Sequence, residues 1–393
     1  MWIVGVMLFL FYGLPNIINF RERQHFSSTH HLEEAQELNL QDTTSYTKIN
    51  ASDFYDRGWL VNTLFGSHYR EVWSTQVLLP VLHELDTFQF HKVGGGMQTT
   101  SIEVRDSDKR SFTLRTLDKD QAKVLPQWLY PSALRLLLRD QTSALNPFGS
   151  EVVAGFSEAL GIYHTSPKVA YVPYNIQFHD SINHFLAGKA VVFEEEPGSK
   201  WKNKPRFNNP KDILNTEELF ELLSSRENNY AFDTLAFLKC RLFDLLISDW
   251  DRHGGQWKWV LEHDSITQSI KPFPIDRDMA FCRFDDGLVN KLVVSVTNKF
   301  KSFRKGESIF SIAKKTNDLD SVFLKNLPQD YFLTSSQLIK ETLSDSLVHS
   351  TFTQRYPAEV YELIGEEHTE VLQYRLHLLD SAAILFKKHI DMM

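Results

Sequence analysis

A long apolar run that stops at a polar loop constrains the fold of this chain more than any other feature. Residues 231–247 carry leucine at a spacing of about 3.6 residues, which predicts an amphipathic helix. The loop that follows packs Asp249, Asp251, His253 and Gln256 into a few positions. Such a loop costs folding energy unless it is solvated or holds a ligand, so it is the first candidate for a functional site.

Two acidic loops predict a split site for phosphoryl transfer. Gln256 follows Asp251 by five positions, the interval that separates a hydroxyl-orienting aspartate from a metal-binding amide in phosphotransferase catalytic loops. A second acidic cluster, Asp276 and Asp278, lies further along the chain behind an apolar strand. Carboxylate and amide oxygens suit Mg²⁺ or Mn²⁺. We therefore expect Asp251 to orient an acceptor hydroxyl while Gln256 and Asp276 or Asp278 hold divalent cations.

The histidine of the first loop bears on a competing interpretation. His253 is expected to hydrogen-bond within the loop as a scaffold rather than act as a general base. Metal-dependent phosphoester hydrolysis also uses clustered aspartate and histidine, but it needs several histidine ligands. Only His253 and His263 are close to the acids in sequence. A solvated surface loop and turn remains the non-catalytic alternative.

Three short segments of alternating hydrophobicity predict an antiparallel meander with a glycine hairpin. The segments are residues 88–93, 99–104 and 111–117. Gly94, Gly95 and Gly96 form the first turn. Because glycine carries no side chain, three in a row let backbone amides surround a phosphate, so these residues are candidates for binding a nucleotide. Most glycine-rich hairpins, however, are only turns.

A cation near the third strand strengthens the nucleotide interpretation. Arg115 lies on that strand and Lys119 just beyond it, where kinase-type folds place a basic residue that holds the nucleotide phosphates. The helical segment at residues 146–160 offers Glu151 and Glu158 as candidate ion-pair partners for this cation.

The remaining pattern predicts an α+β fold with two lobes. Further strands are expected at residues 168–172 and 189–194, and the second ends in Glu194, a candidate cofactor-binding residue. Glu-Pro-Gly at 196–198 marks a break before a largely helical C-terminal part. The predicted division is an N-terminal segment at 1–20, a polar tether at 21–50, a sheet lobe at 51–195 and a helical lobe at 196–393.

Composition excludes some classes of function. The net charge of −8 argues against a broad nucleic-acid-binding face, so no nucleic-acid partner is expected. Cys240 and Cys282 are the only cysteines, too few for a disulfide framework or a thiolate zinc site. Cys240 falls on the apolar helix and is expected in the core.

The N-terminus is the one membrane signal. Residues 2–14 are almost wholly apolar but fall short of the roughly 20 residues that a spanning helix needs. A signal-peptide core, an uncleaved anchor extended to Phe20 and a buried helix are the alternatives. We expect export or anchoring, and hence contact with a membrane. The histidines of the tether that follows could bind a metal, but a solvated segment is the simpler interpretation.

Several motifs resemble one group of atypical kinases. Asp-Arg-His-x-x-Gln is similar to the Asp-Arg-His-x-x-Asn loop of HipA-type and spore-coat-type kinases and to the related loop of secretory-pathway kinases. The closer resemblance is to a kinase-like domain of bacterial envelope proteins of the surface-antigen type, often joined to a metallophosphatase. The motifs are Gly-Gly-Gly-Met-Gln-Thr at 94–99, Leu-Arg-Thr-Leu-Asp-Lys-Asp at 114–120, Gly-Ile-Tyr-His-Thr at 161–165, Arg-Leu-Phe-Asp-Leu-Leu-Ile-Ser-Asp-Trp-Asp-Arg-His at 241–253 and Asp-Arg-Asp-Met-Ala-Phe at 276–281.

The resemblance implies a bilobal protein-kinase-like fold that uses ATP with Mg²⁺ or Mn²⁺ on a protein or glycan hydroxyl in the bacterial cell envelope. It assigns Asp251 the catalytic role, Gln256 the first metal-ligand role and Asp276 the second, with Asp278 as the alternate. Arg115 stands where kinases usually carry lysine, and Gln256 stands where they carry asparagine. These departures favour the alternative of a pseudokinase or envelope scaffold that binds nucleotide or a partner without turnover.

Overall fold

The structure is a computed structural model. It describes residues 2–13, 46–82, 85, 87–94, 100–174, 179–204, 209–225, 229–263, 268–288, 291 and 301–393. Gly95 and Gly96 of the predicted hairpin lie outside the described residues, as do residues 14–20 of the N-terminal segment and 21–45 of the predicted tether.

A five-stranded antiparallel sheet forms the centre of the N-terminal half. Its strands are β3 (Gln89–Gly94), β4 (Ser101–Arg105), β5 (Ser111–Thr116), β6 (Lys168–Val172) and β7 (Lys189–Glu195). Their spatial order is β3-β4-β5-β7-β6. The register places Gly94 opposite Ser101, and Ser101 opposite Arg115. Strand β4, which follows the glycine turn, therefore lies beside β5, the strand that carries the cation.

Alternation along β4 and β5 separates the two faces of this sheet. Ile102, Val104 and Leu114 are fully buried in a small apolar core, because successive side chains of a strand point to opposite faces. A short helix, α6 below, covers that core with Ile182. The opposite face carries polar side chains, among them Arg115.

Short elements surround the sheet. A separate antiparallel pair is formed by β1 (Tyr46–Ile49) and β2 (Val77–Pro80). The helices of this half are α1 (Trp2–Leu8), α2 (Trp59–Phe65), α3 (Arg70–Ser74), α4 (Ala133–Asp140), α5 (Gly149–Ala159) and α6 (Asp180–Phe185). Where the sequence predicts a helix from Ala51, the structure has only a 3₁₀ turn, Asp53–Tyr55. Ser52 caps that turn by accepting a hydrogen bond from the Phe54 amide.

The C-terminal half is mostly helical. Its helices are α7 (Thr216–Ser224), α8 (Thr234–Ile247), α9 (Ser308–Ala313), α10 (Asp318–Leu324), α11 (Gln329–Thr342), α12 (Asp345–Arg355), α13 (Ala358–Val360) and α14 (Glu366–Asp391). A π-helical turn, Tyr361–Gly365, joins the last two. Helix α7 begins with a capping box in which the Asn215 and Glu218 side chains each bond to the other residue's backbone amide.

A second, four-stranded sheet includes the hairpin that follows the predicted catalytic loop. It contains β8 (Asp212–Leu214), β9 (Ala231–Phe232), β10 (Trp257–His263) and β11 (Gln268–Pro274) in the order β8-β10-β11-β9. The hairpin of β10 and β11 carries the chain from Gln256 to Asp276. Trp257 and Trp259 are buried in the main core, which fixes the position of the hairpin against α8.

The predicted α+β class is confirmed, with an antiparallel sheet in the N-terminal half and helices dominating the C-terminal half. The division into segments and lobes at 20, 50 and 195 stays a prediction. At the N-terminus, α1 continues into a π-helical turn, Phe9–Gly13. Among the described residues, every helix is too short or too polar to cross a membrane.

Candidate functional site

The predicted catalytic loop starts from a helix end that the C-terminal helix holds in place. Helix α8 ends at Ser248, which has a left-handed backbone with φ of 60°. Arg375 of α14 is fully buried and donates to the Ser248 hydroxyl at 2.7 Å and to the Leu246 carbonyl at 2.8 Å. The contact between Ser248 and Arg375, which lie 127 residues apart in the sequence, therefore sets the direction in which the chain leaves α8.

Buried charges anchor the loop to the rest of the site. Asp244, on the last turns of α8, is fully buried and pairs with Arg241 at 2.7 Å, Arg277 at 3.0 Å and Arg252 at 3.5 Å. Three cations around one buried carboxylate leave its charge well paired. Arg241 lies on α8, Arg252 on the catalytic loop and Arg277 on the turn that carries Asp276 and Asp278, which we call the acidic turn. Asp244 therefore holds the three segments together.

Arg252 joins the catalytic loop to the acidic turn directly. Its guanidinium donates to the Ile275 carbonyl at 2.7 Å and to the Gln256 carbonyl at 2.8 Å. It also lies 3.6 Å from the Asp249 carboxylate. Burial raises the pKa of the Asp249 carboxyl to about 7, although Arg252 opposes the shift. Asp249 is thus a buried part of the scaffold.

Asp251 and His253 behave differently within this loop. The Asp251 carboxylate is partly exposed, so a ligand can reach it. It lies near enough to Lys119 to act on the charge of that amine. The His253 ring accepts from the Gly255 amide at 3.1 Å and lies 3.5 Å from the Gln256 amide nitrogen. The structure therefore places the histidine as a brace of the loop.

Asp276 lies at the meeting point of the two halves. Its Oδ1 accepts from Arg115 Nη1 at 3.1 Å and its Oδ2 from Gln256 Nε2 at 3.3 Å. Burial alone would raise the pKa of Asp276, but Lys119 and Arg115 outweigh it and hold the pKa below its usual value. Its backbone has φ of 54°, a conformation that non-glycine residues rarely adopt and that often marks a functional turn.

Lys119 makes the second link between the halves, through an ion pair with Asp278. Burial lowers the pKa of the Lys119 amine to about 8, although Asp276 and Asp251 oppose the shift. For Arg115, burial would lower the pKa, but Asp276, Glu194 and Glu196 outweigh it and raise it.

Arg115, Lys119, Asp276 and Asp278 line one cleft between the five-stranded sheet and the acidic turn; we call it the deep cleft. Asp251, His253 and Gln256 are not part of its lining. Its charged lining is Arg115, Lys119, Glu194, Asp276, Arg277 and Asp278. Leu117, Val153 and Val192 give it an apolar wall. Glu194 accepts from the Thr165 hydroxyl, and burial raises its pKa.

Gly94 lies in a neighbouring groove that shares Arg115 with the deep cleft. This hairpin groove is lined by Gly94, Ser101, Thr113, Arg115, Glu196 and Trp201, among others. The other two predicted glycines, Gly95 and Gly96, lie outside the described residues. Arg115 thus stands between the strands that flank the glycine turn and the acidic turn.

A buried relay supports the far end of the acidic turn. The Phe281 carbonyl accepts from the Tyr69 hydroxyl at 2.5 Å, and Tyr69 lies 3.0 Å from His368 Nε2. The relay continues from His368 Nδ1 to the Tyr356 hydroxyl, 2.9 Å away. The Tyr356 oxygen in turn accepts from the Asn146 side-chain amide at 2.7 Å. Since Tyr69 donates to Phe281, His368 Nε2 carries the proton and Nδ1 accepts. Burial, with Arg283 nearby, lowers the pKa of His368 to about 3.

The expected partners of the strand cation are a correction. Glu151 instead accepts from the Val169 amide at 2.6 Å, and Glu158 pairs with Arg355 at 3.0 Å. The helix face that lines the deep cleft carries Ser150, Val153, Ala154 and Ser157. Helix α5 turns its acids away from the cleft, so the partner of Arg115 is Asp276.

Sequence reasoning missed the residues that hold the site together. These residues are Asp244, Arg252 and Arg277, all of them buried. Asp244 pairs with both arginines, and Arg252 also pairs with Asp249. One signal was available, since Arg241 and Asp244 interrupt an otherwise apolar helix at a spacing of three residues. Charges on a buried helix face need partners, which predicts a buried ionic cluster.

The donors in the deep cleft suit a hard cation only when a ligand adds further oxygens. Among the described residues, no group of three histidine, cysteine, aspartate or glutamate side chains could hold a metal ion. Asp276 and Asp278 supply two carboxylates, and Gln256 adds an amide. Mg²⁺ is commonly bound by one or two carboxylates together with phosphates of the substrate. The residues therefore fit a cation that arrives with a polyphosphate.

No model of a known protein family matches the sequence, and no curated protein matches it either. Among solved structures, a Helicobacter pylori proinflammatory kinase, CtkA, matches with a TM-score of 0.36 and 13% identity, covering 77% of this chain and 98% of that chain. The Golgi casein kinase matches with a TM-score of 0.35 and 10% identity, covering 91% of this chain and 90% of that chain. At TM-scores below 0.5 these likenesses carry no inference, so the chemistry of this chain has to be argued from its own residues.

Proposed function

We propose that this chain is an ATP- and divalent-metal-dependent phosphotransferase that acts on a hydroxyl of a protein or glycan. One observation carries the proposal: Arg115 and Lys119 from the sheet meet Asp276 and Asp278 from the acidic turn in one cleft. Phosphoryl transfer needs mainly positioning and neutralisation of phosphate charge, and two cations facing two carboxylates supply both.

Each side chain has a defined task in this reaction. Arg115 and Lys119 would bind the phosphates of ATP, while Asp276, Asp278 and Gln256 would hold Mg²⁺ or Mn²⁺. A divalent cation held by these residues would supply positive charge to offset the charge that develops on the phosphate. The Asp251 carboxylate accepts the proton of the acceptor hydroxyl. His253 and Arg252 keep the loop in place, since both bond to its backbone.

The first test is labelled ATP with Mn²⁺, comparing the wild-type chain with Asp251→Ala. We expect phosphate transfer, either to the chain itself or to an added acceptor, and loss of at least a hundredfold in rate in the variant. Asp345→Ala, at an exposed position on α12, is the matched control and should keep full activity. Activity that survives in Asp251→Ala would remove that residue from the mechanism.

A second candidate function is a pseudokinase or envelope scaffold that binds nucleotide without turnover. Gln256 favours it, because its amide nitrogen donates to Asp276. The amide group must rotate before its oxygen can face a cation bound at Asp276. Nucleotide with Mn²⁺ would raise the melting temperature in both cases, so phosphate transfer is the measurement that separates them. Only the enzyme would transfer phosphate.

The location in the bacterial cell envelope, and the relationship to the surface-antigen type of kinase-like domain, belong to the same proposal. Support comes from the N-terminal helix and turn, residues 2–13, which carry no charged side chain and whose Trp2 is 86% exposed. In a bacterial host, the chain is expected to sediment with membranes, and deletion of residues 2–13 to move it to the supernatant. An unchanged distribution would contradict anchoring by this segment.

A further inference from the structure

Without ligand, the carboxylates that would hold a metal are already neutralised by the residues that would hold phosphate. Asp276 has both oxygens engaged, one with Arg115 at 3.1 Å and one with Gln256 at 3.3 Å. Asp278 is paired with Lys119. The side chains proposed to bind phosphate are thus paired with the carboxylates proposed to bind the metal.

This pairing raises an obstacle to a metal ion that arrives alone. A divalent cation bound to Asp276 and Asp278 would displace Arg115 and Lys119 from their partners and then stand beside two positive charges. Glu194, the remaining acid of the cleft lining, is held by Thr165 and lies close enough to Arg115 to raise its pKa. In a partly buried cleft, repulsion among like charges is poorly screened.

A polyphosphate removes the obstacle. Its oxygens accept from Arg115 and Lys119 and so release Asp276 and Asp278 for the metal, which then binds carboxylates and phosphates together. We propose that the deep cleft works as a charge switch: it excludes a divalent cation alone and admits it together with a polyphosphate. The inference rests on the proposed function and adds an ordering to it. By linkage, the metal must strengthen polyphosphate binding by the same factor.

The switch makes an unusual prediction for the cation variants. Lys119→Met and Arg115→Gln remove groups proposed to bind phosphate, yet each should strengthen binding of Mn²⁺ alone. Mn²⁺ titration followed by electron paramagnetic resonance, without nucleotide, is expected to show at least tenfold tighter binding than in the wild type. Asp276→Asn added to either variant should abolish the gain.

Controls separate the switch from general effects of charge. Lys305→Met removes a cation from an exposed pair with Glu370 and should leave Mn²⁺ binding as in the wild type. Melting curves without ligand establish that Lys119→Met and Arg115→Gln are folded, and either variant alone suffices for the test. If Mn²⁺ binding in the folded variants is unchanged or weaker, the switch is overturned.

Failure of the switch can be told apart from failure of the proposed function. The melting temperature of the wild type is measured with Mn²⁺, with the β,γ-methylene analogue of ATP, and with both. A shift with both ligands that exceeds the sum of the single shifts supports the switch. A shift with both, combined with no gain of Mn²⁺ binding in the variants, overturns the switch alone. A gain in the variants without any nucleotide effect supports the switch and overturns ATP as the polyphosphate.

Discussion

Asp276 combines a proposed metal-binding role with an unfavourable backbone conformation. Its φ of 54° lies in the left-handed region, where asparagine and aspartate are tolerated much better than residues such as alanine. The residue that carries the charge therefore also shapes the turn. The two roles can be separated, because asparagine keeps the turn and loses the charge.

We predict that Asp276→Asn and Asp276→Ala both abolish metal binding but differ in their free energy of unfolding. Both remove the same charge, so the difference reports the backbone, and the alanine variant should be less stable by about 1 kcal/mol. Urea unfolding of the two variants measures it.

The same pair of changes at Asp278 is the control, since that residue does not have a positive φ. There the asparagine and alanine variants should differ by less. Equal stabilities of the two Asp276 variants would mean that its backbone conformation costs nothing measurable.

Elements far apart in the chain hold the acidic turn through the His368 relay. His368 lies on α14, Tyr356 directly follows α12, and Tyr69 directly precedes α3. Each group donates or accepts in one direction only, so the relay requires a neutral imidazole. The packing of the helices thus determines where Phe281, and with it the acidic turn, lies.

This requirement gives the stability a dependence on pH. Burial keeps His368 neutral in the native state down to a pKa of about 3, whereas in the unfolded chain it takes up a proton near pH 6.5. Between these values the unfolded state binds more protons, so stability is retained above about pH 6.5 and lost as the pH falls. The loss should approach about 1.4 kcal/mol per pH unit from this residue.

His368→Gln can make the same two hydrogen bonds but does not titrate. Urea unfolding at several pH values from 7 down to 5 should therefore show a steeper loss in the wild type than in the variant. His377→Gln, at an exposed position on the same helix, is the control and should follow the wild type. Parallel curves for the wild type and His368→Gln would contradict the assignment of a neutral buried imidazole.

Across the whole molecule, a buried ionic cluster joins the helix, both functional loops and α10. The Asp244 carboxylate forms ion pairs with Arg241, Arg252 and Arg277. Arg241 also pairs with Asp320 of α10 at 2.7 Å. Such a cluster contributes little over apolar packing when complete, but losing one member leaves buried charge unpaired. It makes the geometry of the site a property of the entire fold.

We predict that Asp244→Ala destabilises the chain by about 3–5 kcal/mol, because three buried arginines lose a shared acceptor. Chemical denaturation measures the effect. Glu158→Gln, which breaks the more exposed pair with Arg355, should cost no more than about 1 kcal/mol. Similar effects of the two changes would show that water or rearrangement compensates Asp244.

Local pattern determined much of this protein. Periodicity alone located α8 and the strands of the five-stranded sheet, because side-chain spacing reflects the geometry of each element. The spacing of Asp251, Gln256 and Asp276 identified the residues to examine, since they lie on short loops at the ends of predictable elements.

Only the tertiary structure decided how those residues meet. Arg115 and Asp276 lie 161 residues apart, and their pairing depends on how the sheet packs against the second hairpin, which periodicity does not encode. The expectation of Glu151 or Glu158 failed because the rotation of α5 about its axis is set by core packing. Local sequence therefore specifies the elements and the candidate residues, whereas long-range packing and charge pairing decide which candidates form the site.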